Sequence, residues 1–213
     1  MAQGAAWEKE YRKPKLVSLN SEPQQVVKDF RRFLKDVEGK KLLDLGCGNG
    51  RNLKYFKEYG AGVVGIDISP TAISHTDGLG KVGDIGKPLD FPDNHFDIIL
   101  DVTSSNALND AERAVYIKEI YRVLKPGGFI FVRALCKDGD DNAKNLIKMS
   151  PGNEKDTYYM KELDLYERVF TKEDFLDLYK EFKVEMIERQ THYARLNNRS
   201  YKRNYWVAYL QKM

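Results

Sequence analysis

A chain of 213 residues is long enough for one α/β domain with a full hydrophobic core. Its composition, 42% hydrophobic and 31% charged, is typical of a globular protein, and no apolar run approaches the ~20 residues of a membrane span. The net charge of +3 neither demands nor excludes a nucleic-acid partner. Two cysteines make no disulfide framework and no secretory signal is visible, so we expect a cytoplasmic protein.

Residues 1–40 predict a helical segment, because apolar side chains recur in it at helical spacing. Ser21 is a candidate helix cap with Pro23 in the first turn, and Gly39 is a plausible stop. Trp7 and Tyr11 begin this segment. Their rings either line a site or pack the helix against the core; packing is the favoured reading for Trp7.

The stretch around which the chain is organised runs from Leu42 to Gly50. The first predicted strand covers Lys41–Leu45 and carries Asp44, three glycines follow at alternate positions, and a helix begins at Arg51. Glycine tolerates positive φ and lets a ligand approach the bare backbone. The spacing G-x-G-x-G differs from the dinucleotide pattern, and the Asp44 carboxylate would repel a pyrophosphate but attract a cation. The plain alternative is an ordinary strand–loop–helix corner.

Two further predicted strands carry acids at or near their ends. Residues 63–67 end at Asp67, about 20 residues beyond the glycines, where a carboxylate can accept hydrogen bonds from a cis-diol. Ile68 could pack on an adenine face, although Asp67 could also be a simple turn residue. Ser69 starts a short helix, and residues 81–85 form the third strand, which contains Asp84.

The second half of the predicted sheet begins with the apolar strand 96–100. The loop 101–106 leaves its carboxyl end, where ligands of open α/β sheets bind. An amphipathic helix over 111–124 and a strand over 129–132 follow. A helix after Thr171 and strands over 182–187 and 204–210 complete the pattern.

The segments 42–50 and 121–128 resemble motif I and a second segment of the class I S-adenosylmethionine-dependent methyltransferases, in their small-molecule "type 11" branch. The motifs cover residues 40–135, and the architecture extends over 170–213. The resemblance implies an α/β, Rossmann-like fold: a seven-stranded, mostly parallel sheet with an antiparallel last strand and helices on both faces. It also implies one domain, with a lid (1–40), a cofactor-binding core (41–135), a substrate-pocket insertion (136–170) and a C-terminal helix and hairpin (171–213).

The same resemblance implies S-adenosyl-L-methionine as the cofactor. Asp84 would accept a hydrogen bond from the adenine amine, and the backbone N–H of Ile85 would donate to the ring. The predicted cofactor-binding residues are Asp44, Gly46, Cys47, Gly48, Gly50, Asp67, Ile68, Asp84, Ile85, Asp101 and Tyr11. Cys47 is interpreted as a small apolar filler of the loop.

Candidate general bases are His192, whose pKa range suits the task, and Asp101, which follows the fourth strand. No cysteine–histidine set has the spacing of a metal site, so we expect no zinc. The basic segment 189–203 is either a solvated loop or a rim that recognises an acidic small molecule or RNA.

These features favour an enzyme, EC 2.1.1.-, that methylates O or N of a small molecule by in-line displacement, mainly through positioning. Methylation of RNA or protein is the first alternative, and a non-catalytic cofactor-binding subunit is the second. An NAD-dependent enzyme is a more distant reading. We expect a small-molecule acceptor, no membrane partner, and a monomer or homodimer.

Overall fold

The computed structural model describes residues 3–196 and 199–213, without the side chains of 194–199. The helices are α1 (Gly4–Arg12), α2 (Gln25–Leu34), α3 (Arg51–Glu58), α4 (Pro70–Ser74), a 3-10 turn (Ser105–Ala107), α5 (Asp110–Val123), α6 (Asp141–Met149) and α7 (Lys172–Leu178). The strands are β1 (Lys41–Leu45), β2 (Gly62–Asp67), β3 (Gly80–Val82), β4 (Phe96–Val102), β5 (Leu124–Leu135), β6 (Thr157–Met160), β7 (Leu165–Arg168), β8 (Phe182–Leu196) and β9 (Arg199–Lys212).

Seven strands form one sheet in the order β3-β2-β1-β4-β5-β9-β8. The pairs among β1 to β5 are parallel, whereas β9 is antiparallel to both of its neighbours. The predicted fold is confirmed. The carboxyl ends of β2, β1, β4 and β5 therefore share one edge of the sheet with the first half of β9, and this edge positions the site.

Helices cover both faces of the sheet. On one face, Phe30 of α2 stacks on Phe131 of β5 with ring centroids 4.9 Å apart, and also packs against Tyr209 of β9. On the other face, Ile120 of α5 and Phe175 of α7 are fully buried in the second core. A continuous apolar strand is typical of a parallel sheet that is covered on both sides.

The N-terminal segment departs from its prediction. It forms two helices, α1 and α2, and Gln24 precedes α2 in an extended conformation without a side-chain cap. Ser21 therefore does not cap a helix, and Pro23 lies before the first turn. Residues 13–24 between the helices are anchored through Glu10, whose Oε1 accepts hydrogen bonds from the backbone N–H groups of Lys15 and Val17 at 2.8 and 2.9 Å.

Three strand regions also differ from the sequence pattern. Residues 157–168 form the small hairpin β6–β7, which was not predicted. The strand β5 continues past Val132 to Leu135, where it still pairs with β9. The hairpin β8–β9 includes most of segment 189–203. The strand is hard to recognise in the sequence because its side chains at 191–193 are exposed and do not alternate between apolar and polar.

Candidate functional site

A cavity of about 1460 Å³ opens at the carboxyl edge of the sheet. Its walls come from one face of α1, the glycine loop after β1, the loop after β4, α6, the hairpin β6–β7 and the first half of β9. Pockets for one drug-sized ligand usually measure about 300–1,000 Å³. This cavity therefore has room for a cofactor together with a second molecule.

The glycine loop cannot carry side chains at Gly46 and Gly48, because other segments pass close to its backbone. Gly46 has a φ of +68°, and a Cβ there would lie 2.3 Å from the Cβ of Ser104. Gly48 has a φ of +56°, and a Cβ there would lie 2.5 Å from the hydroxyl of Tyr11. Both glycines line the cavity. The loop thus combines left-handed backbone with a surface that a ligand can touch directly.

Asp67 at the end of β2 lies on the cavity wall and also supports the glycine loop. Its Oδ2 accepts a hydrogen bond from the backbone N–H of Gly48, and its Oδ1 accepts one from Ser69, both at 2.9 Å. Burial raises the pKa of this carboxyl, and the backbone donors act in the opposite direction. Each oxygen keeps further acceptor capacity for a ligand hydroxyl.

Asp44 lies beneath the loop and is not part of the cavity wall. Its Oδ2 has no hydrogen-bond partner among the residues that the structure describes. Burial raises the pKa of Asp44 to about 8, against the effect of a hydrogen bond from Asn52. Gly50 is also away from the wall: it precedes α3 with a φ of +77° and packs against Thr76.

The remaining predicted loop residues lie on the wall: Cys47, Ile68, Asp84 and Ile85. Asp84 accepts a hydrogen bond from the backbone N–H of Gly86 at 2.8 Å. Burial raises the pKa of the Cys47 thiol, and its sulfur occupies the space that a side chain at Gly65 would need. Cys47 is therefore a packed neutral thiol, which fits its interpretation as an apolar filler.

One face of α1 closes a side of the cavity through Gln3, Gly4, Trp7 and Tyr11. Trp7 reaches the wall, contrary to the favoured packing reading. The helix is fixed next to this face by Glu8, which accepts hydrogen bonds from Ser69 Oγ at 2.6 Å and Thr71 Oγ1 at 2.7 Å. These bonds lower the pKa of Glu8 to about 2.

The two predicted bases do not reach the cavity wall. Asp101 is fully buried: its Oδ1 accepts bonds from Ser104 Oγ at 2.5 Å and from two backbone N–H groups of the loop, and its Oδ2 accepts one from Tyr116 at 2.7 Å. With these four donors it holds the loop in which Thr103 has a φ of +63°. His192 is exposed on β8, where burial of part of the ring and the nearby Arg133 lower its pKa.

The basic segment 189–203 makes contacts within the protein. Arg189 donates to the carbonyl of Asp138 at 3.2 Å, and Lys202 donates to the carbonyl of Gly139 at 3.4 Å. Arg203 donates to the hydroxyl of Tyr158 and approaches Glu167 at 3.9 Å. The side chains of Arg195 and Arg199 lie outside the described residues.

For the side of the cavity next to β5 and β9, sequence reasoning named only segments, namely the loop 101–106, the insertion 136–170 and the basic segment 189–203, and did not list the residues that form it as site residues. These are Arg133, Tyr158, Tyr205 and Arg203, together with Asn106. A signal existed for the first of them, because Arg133 interrupts an otherwise apolar stretch from Phe129 to Cys136. A charge in such a position is either paired or functional.

The described residues contain no cluster of three or more metal-ligating side chains, and none of their helices could cross a membrane. The site does fit a nucleoside with a positive charge. Bare glycines accommodate close contact, Asp67 can accept from hydroxyls, and the orphaned oxygen of Asp44 favours a cation nearby. S-adenosylmethionine matches these three properties of the site, because it is a nucleoside with ribose hydroxyls and a positively charged sulfonium.

Comparison with known proteins agrees with this geometry. A family model described as a methyltransferase domain matches residues 43–132. The 2-methyl-6-phytyl-1,4-hydroquinone methyltransferase of Synechocystis is 38% identical over 102 residues, which is 44% of this chain and 31% of that enzyme. The chain thus spans about a third of the length of this curated relative.

Two solved structures show the same fold at lower identity. A SAM-dependent methyltransferase from Methanosarcina mazei superimposes with a TM-score of 0.73 at 21% identity, covering 90% of this chain and 99% of that one. The 1,6-didemethyltoxoflavin-N1-methyltransferase of Burkholderia thailandensis, solved with S-adenosylhomocysteine, gives 0.70 at 18% identity, covering 99% and 87%. S-adenosylmethionine is the cofactor of this family. Residues 43–132 thus match a methyltransferase domain, and the chain has the fold of the class I S-adenosylmethionine-dependent methyltransferases.

Proposed function

We propose that this protein transfers a methyl group from S-adenosylmethionine to an oxygen or nitrogen atom of a small molecule. The observation that carries the proposal is the single continuous cavity of about 1460 Å³, which joins the glycine loop to a second, aromatic region. The Synechocystis relative is a hydroquinone methyltransferase and the Burkholderia neighbour an N1-methyltransferase, so both are named for small acceptors.

In this proposal the cofactor occupies the end of the cavity above β1, β2 and β3. Asp67 holds the ribose hydroxyls, Asp84 and the backbone of Ile85 meet the adenine edge, and Ile68 packs on its face. Tyr11 lies over Gly48 and covers the loop. Asp44 acts from below through its charge, and Gly50 and Asp101 act by shaping the two loops.

S-adenosylmethionine supplies an electrophilic methyl group on a sulfonium. The protein aligns the acceptor with that group and excludes water, and alignment can supply up to about 7–11 kcal/mol of the barrier. The strained loop at Thr103, held by Asp101, fixes the wall between the two ends of the cavity. Trp7 and Tyr11 of α1 cover the cavity from the solvent side.

The test has two stages. Calorimetry should show S-adenosylhomocysteine binding in the micromolar range and no comparable binding of NAD. Transfer of a labelled methyl group is then measured to panels of phenols, carboxylic acids, amines, tRNA and protein. Transfer to RNA or protein alone would replace the small-molecule assignment, and tight cofactor binding without any transfer would favour a non-catalytic subunit.

The cellular assignment belongs to the same proposal. We place the protein in the cytoplasm, as a monomer or homodimer. Cell fractionation and size-exclusion chromatography with light scattering test these two points.

A further inference from the structure

Arg133 is a charged residue at a buried position near the carboxyl end of β5. Its neighbour on the same face of β5, Phe131, is packed in the core, whereas Arg133 reaches the cavity at the sheet edge. The residue is 5% exposed, and its guanidinium lies 3.4 Å above the ring of Tyr205. A permanently charged group has thus been placed in a buried, partly aromatic wall.

This charge has no counterion among the residues that the structure describes. The Nε of Arg133 has no hydrogen-bond partner there. Burial lowers the pKa of the side chain, Tyr205 acts in the opposite direction, and the charge of Arg51 adds to the lowering. Of the six carboxylates of the cavity wall, Glu162 is exposed to solvent and five bond to other groups: Asp67, Asp84, Glu112, Glu154 and Glu167. A buried charge without a partner is costly, so the position is favourable when a ligand supplies the anion.

A second hydrogen-bond donor without a partner is the side-chain amide of Asn106, in the 3-10 turn beside β5. Asn106 is 2% exposed, and its Oδ1 accepts a hydrogen bond from the backbone N–H of Leu135 at 3.0 Å. That bond assigns the amide orientation, because a backbone N–H can only meet the oxygen. The Nδ2 donor has no partner among the described residues. Arg133 and Asn106 both line the cavity.

These donors are on the side away from the predicted cofactor residues. In the sheet order, β5 is separated from β1 by β4 and from β2 by two strands. Neighbouring strands lie about 4.8 Å apart, so the backbone of β5 is roughly 10 Å from that of β1 and roughly 14 Å from that of β2. An anion held by Arg133 would therefore belong to the methyl acceptor.

We propose that the acceptor carries an oxyanion, a carboxylate or a phosphoryl group, that pairs with Arg133 and receives a hydrogen bond from Asn106. The planar guanidinium can bind either oxyanion with two parallel hydrogen bonds. The body of the acceptor lies against the aromatic and apolar wall, which includes Tyr158, Tyr205 and Leu146. This inference rests on the proposed function, because it names the substrate class of the same site.

The test uses the full-length protein saturated with S-adenosylhomocysteine, with benzoate, phenyl phosphate and the neutral benzamide as probes. Calorimetry should show one of the two anions binding at least about tenfold more tightly than benzamide. Preference between the two anions separates a carboxylate acceptor from a phosphorylated one. Arg133→Met should abolish the preference while it retains most of the apolar stem, and Arg133→Lys should retain part of it.

Two further variants complete the design. Lys148→Met removes the same charge from an exposed lysine of α6 that does not line the cavity, and it should leave probe affinity within about twofold. Asn106→Asp keeps the acceptor for Leu135 but replaces the free donor with a carboxylate next to Arg133, so it should also abolish the preference. Melting temperatures confirm that each variant is folded.

The inference is overturned if wild-type protein binds benzamide as tightly as both anions. It is equally overturned if Arg133→Met weakens S-adenosylhomocysteine and leaves probe binding unchanged, since Arg133 would then serve the cofactor. If Arg133→Met does not fold, the wild-type comparison of anions with benzamide still decides. Failure of the wild-type protein to bind S-adenosylhomocysteine would instead contradict the proposed function, and calorimetry of the cofactor alone separates the two cases.

Discussion

The two ends of the cavity are built in different ways. The end above β1, β2 and β3 consists of short loops that directly follow parallel strands, and its polar groups are bonded largely to backbone N–H groups, as Asp67 is to Gly48 and Ser69. The end next to β5 and β9 consists of side chains from segments that are far apart in the sequence. There Arg203 meets Tyr158, which lies 45 residues away, and Arg133 stacks on Tyr205.

The difference shows how each end depends on the fold. Backbone conformation and close chain crossings determine the first end, so it tolerates few changes in side-chain size. Side-chain charge and packing determine the second, so it can change its ligand without changing the sheet. Four variants test this contrast.

The largest effect is expected for Gly46→Ala at the first end. The new Cβ would lie 2.3 Å from the Cβ of Ser104, on a backbone with a φ of +68°. Strain and overpacking together should lower the free energy of unfolding by about 2–4 kcal/mol, measured by urea denaturation. Gly78→Ala is the control, because Gly78 has a φ of +78° and open space around it. Equal losses in both variants would show that φ alone matters.

Arg203→Met tests the second end. Its partner Glu167 is 14% exposed and would lose its cation, while Tyr158 would lose a hydrogen bond. We expect a loss of about 2–3 kcal/mol in stability, with cofactor affinity unchanged. The double variant with Glu167→Gln should recover part of the stability. A loss of cofactor affinity equal to that of stability would mean that the two ends are not independent.

Sequence reasoning located the first end because its signals are local. The glycines, Asp67 and Asp84 follow strands whose apolar runs are readable, and parallel strands necessarily bring their carboxyl ends together. It placed Asp101 and His192 in the site because both follow or flank strands, but the side chain of Asp101 turns toward Tyr116 and His192 lies on the exposed face of a long hairpin.

The residues at the second end of the cavity could not be predicted from local sequence signals. Arg133 and Tyr205 become neighbours only through the antiparallel pairing of β5 with β9, which places Leu135 opposite Tyr205. The hairpin β6–β7 encloses the cavity although its sequence, rich in charges and tyrosines, has no clear strand alternation. Contacts between residues far apart in the chain are set by tertiary packing, which periodicity does not report.

Asp67→Asn should have a smaller effect, confined to the cofactor. The amide can still accept one of the two backbone hydrogen bonds, from Gly48 or Ser69, but its NH₂ group opposes the other donor. Affinity for S-adenosylhomocysteine should fall about tenfold in calorimetry, while melting temperature changes by a few degrees. Asp84→Asn offers a comparison outside this hydrogen-bonded corner. Unchanged affinity in Asp67→Asn would remove Asp67 from the cofactor site.

The last effect concerns Asp44 and depends on pH. Its pKa of about 8 in the folded protein lies above the ordinary value of 3.8, so the folded protein binds more protons than the unfolded chain between these limits. This contribution to stability is therefore complete below about pH 4 and is lost as the pH rises through 8. Asp44→Asn cannot ionise, so at pH 9 it should be more stable than the wild type, and the difference should shrink as the pH falls toward 4.

For cofactor affinity the order should be the reverse of that for stability: the wild type should bind S-adenosylmethionine more tightly than Asp44→Asn. A cationic ligand favours the ionised carboxyl of Asp44, so wild-type affinity for S-adenosylmethionine should increase as the pH rises toward 8, with a proton released on binding at lower pH. Asp44→Asn should bind more weakly and without this dependence. Calorimetry in buffers of different ionisation enthalpy measures the released proton. If wild type and Asp44→Asn show the same pH profile, Asp44 contributes to packing beneath the loop and not to the charge that the first end of the cavity presents.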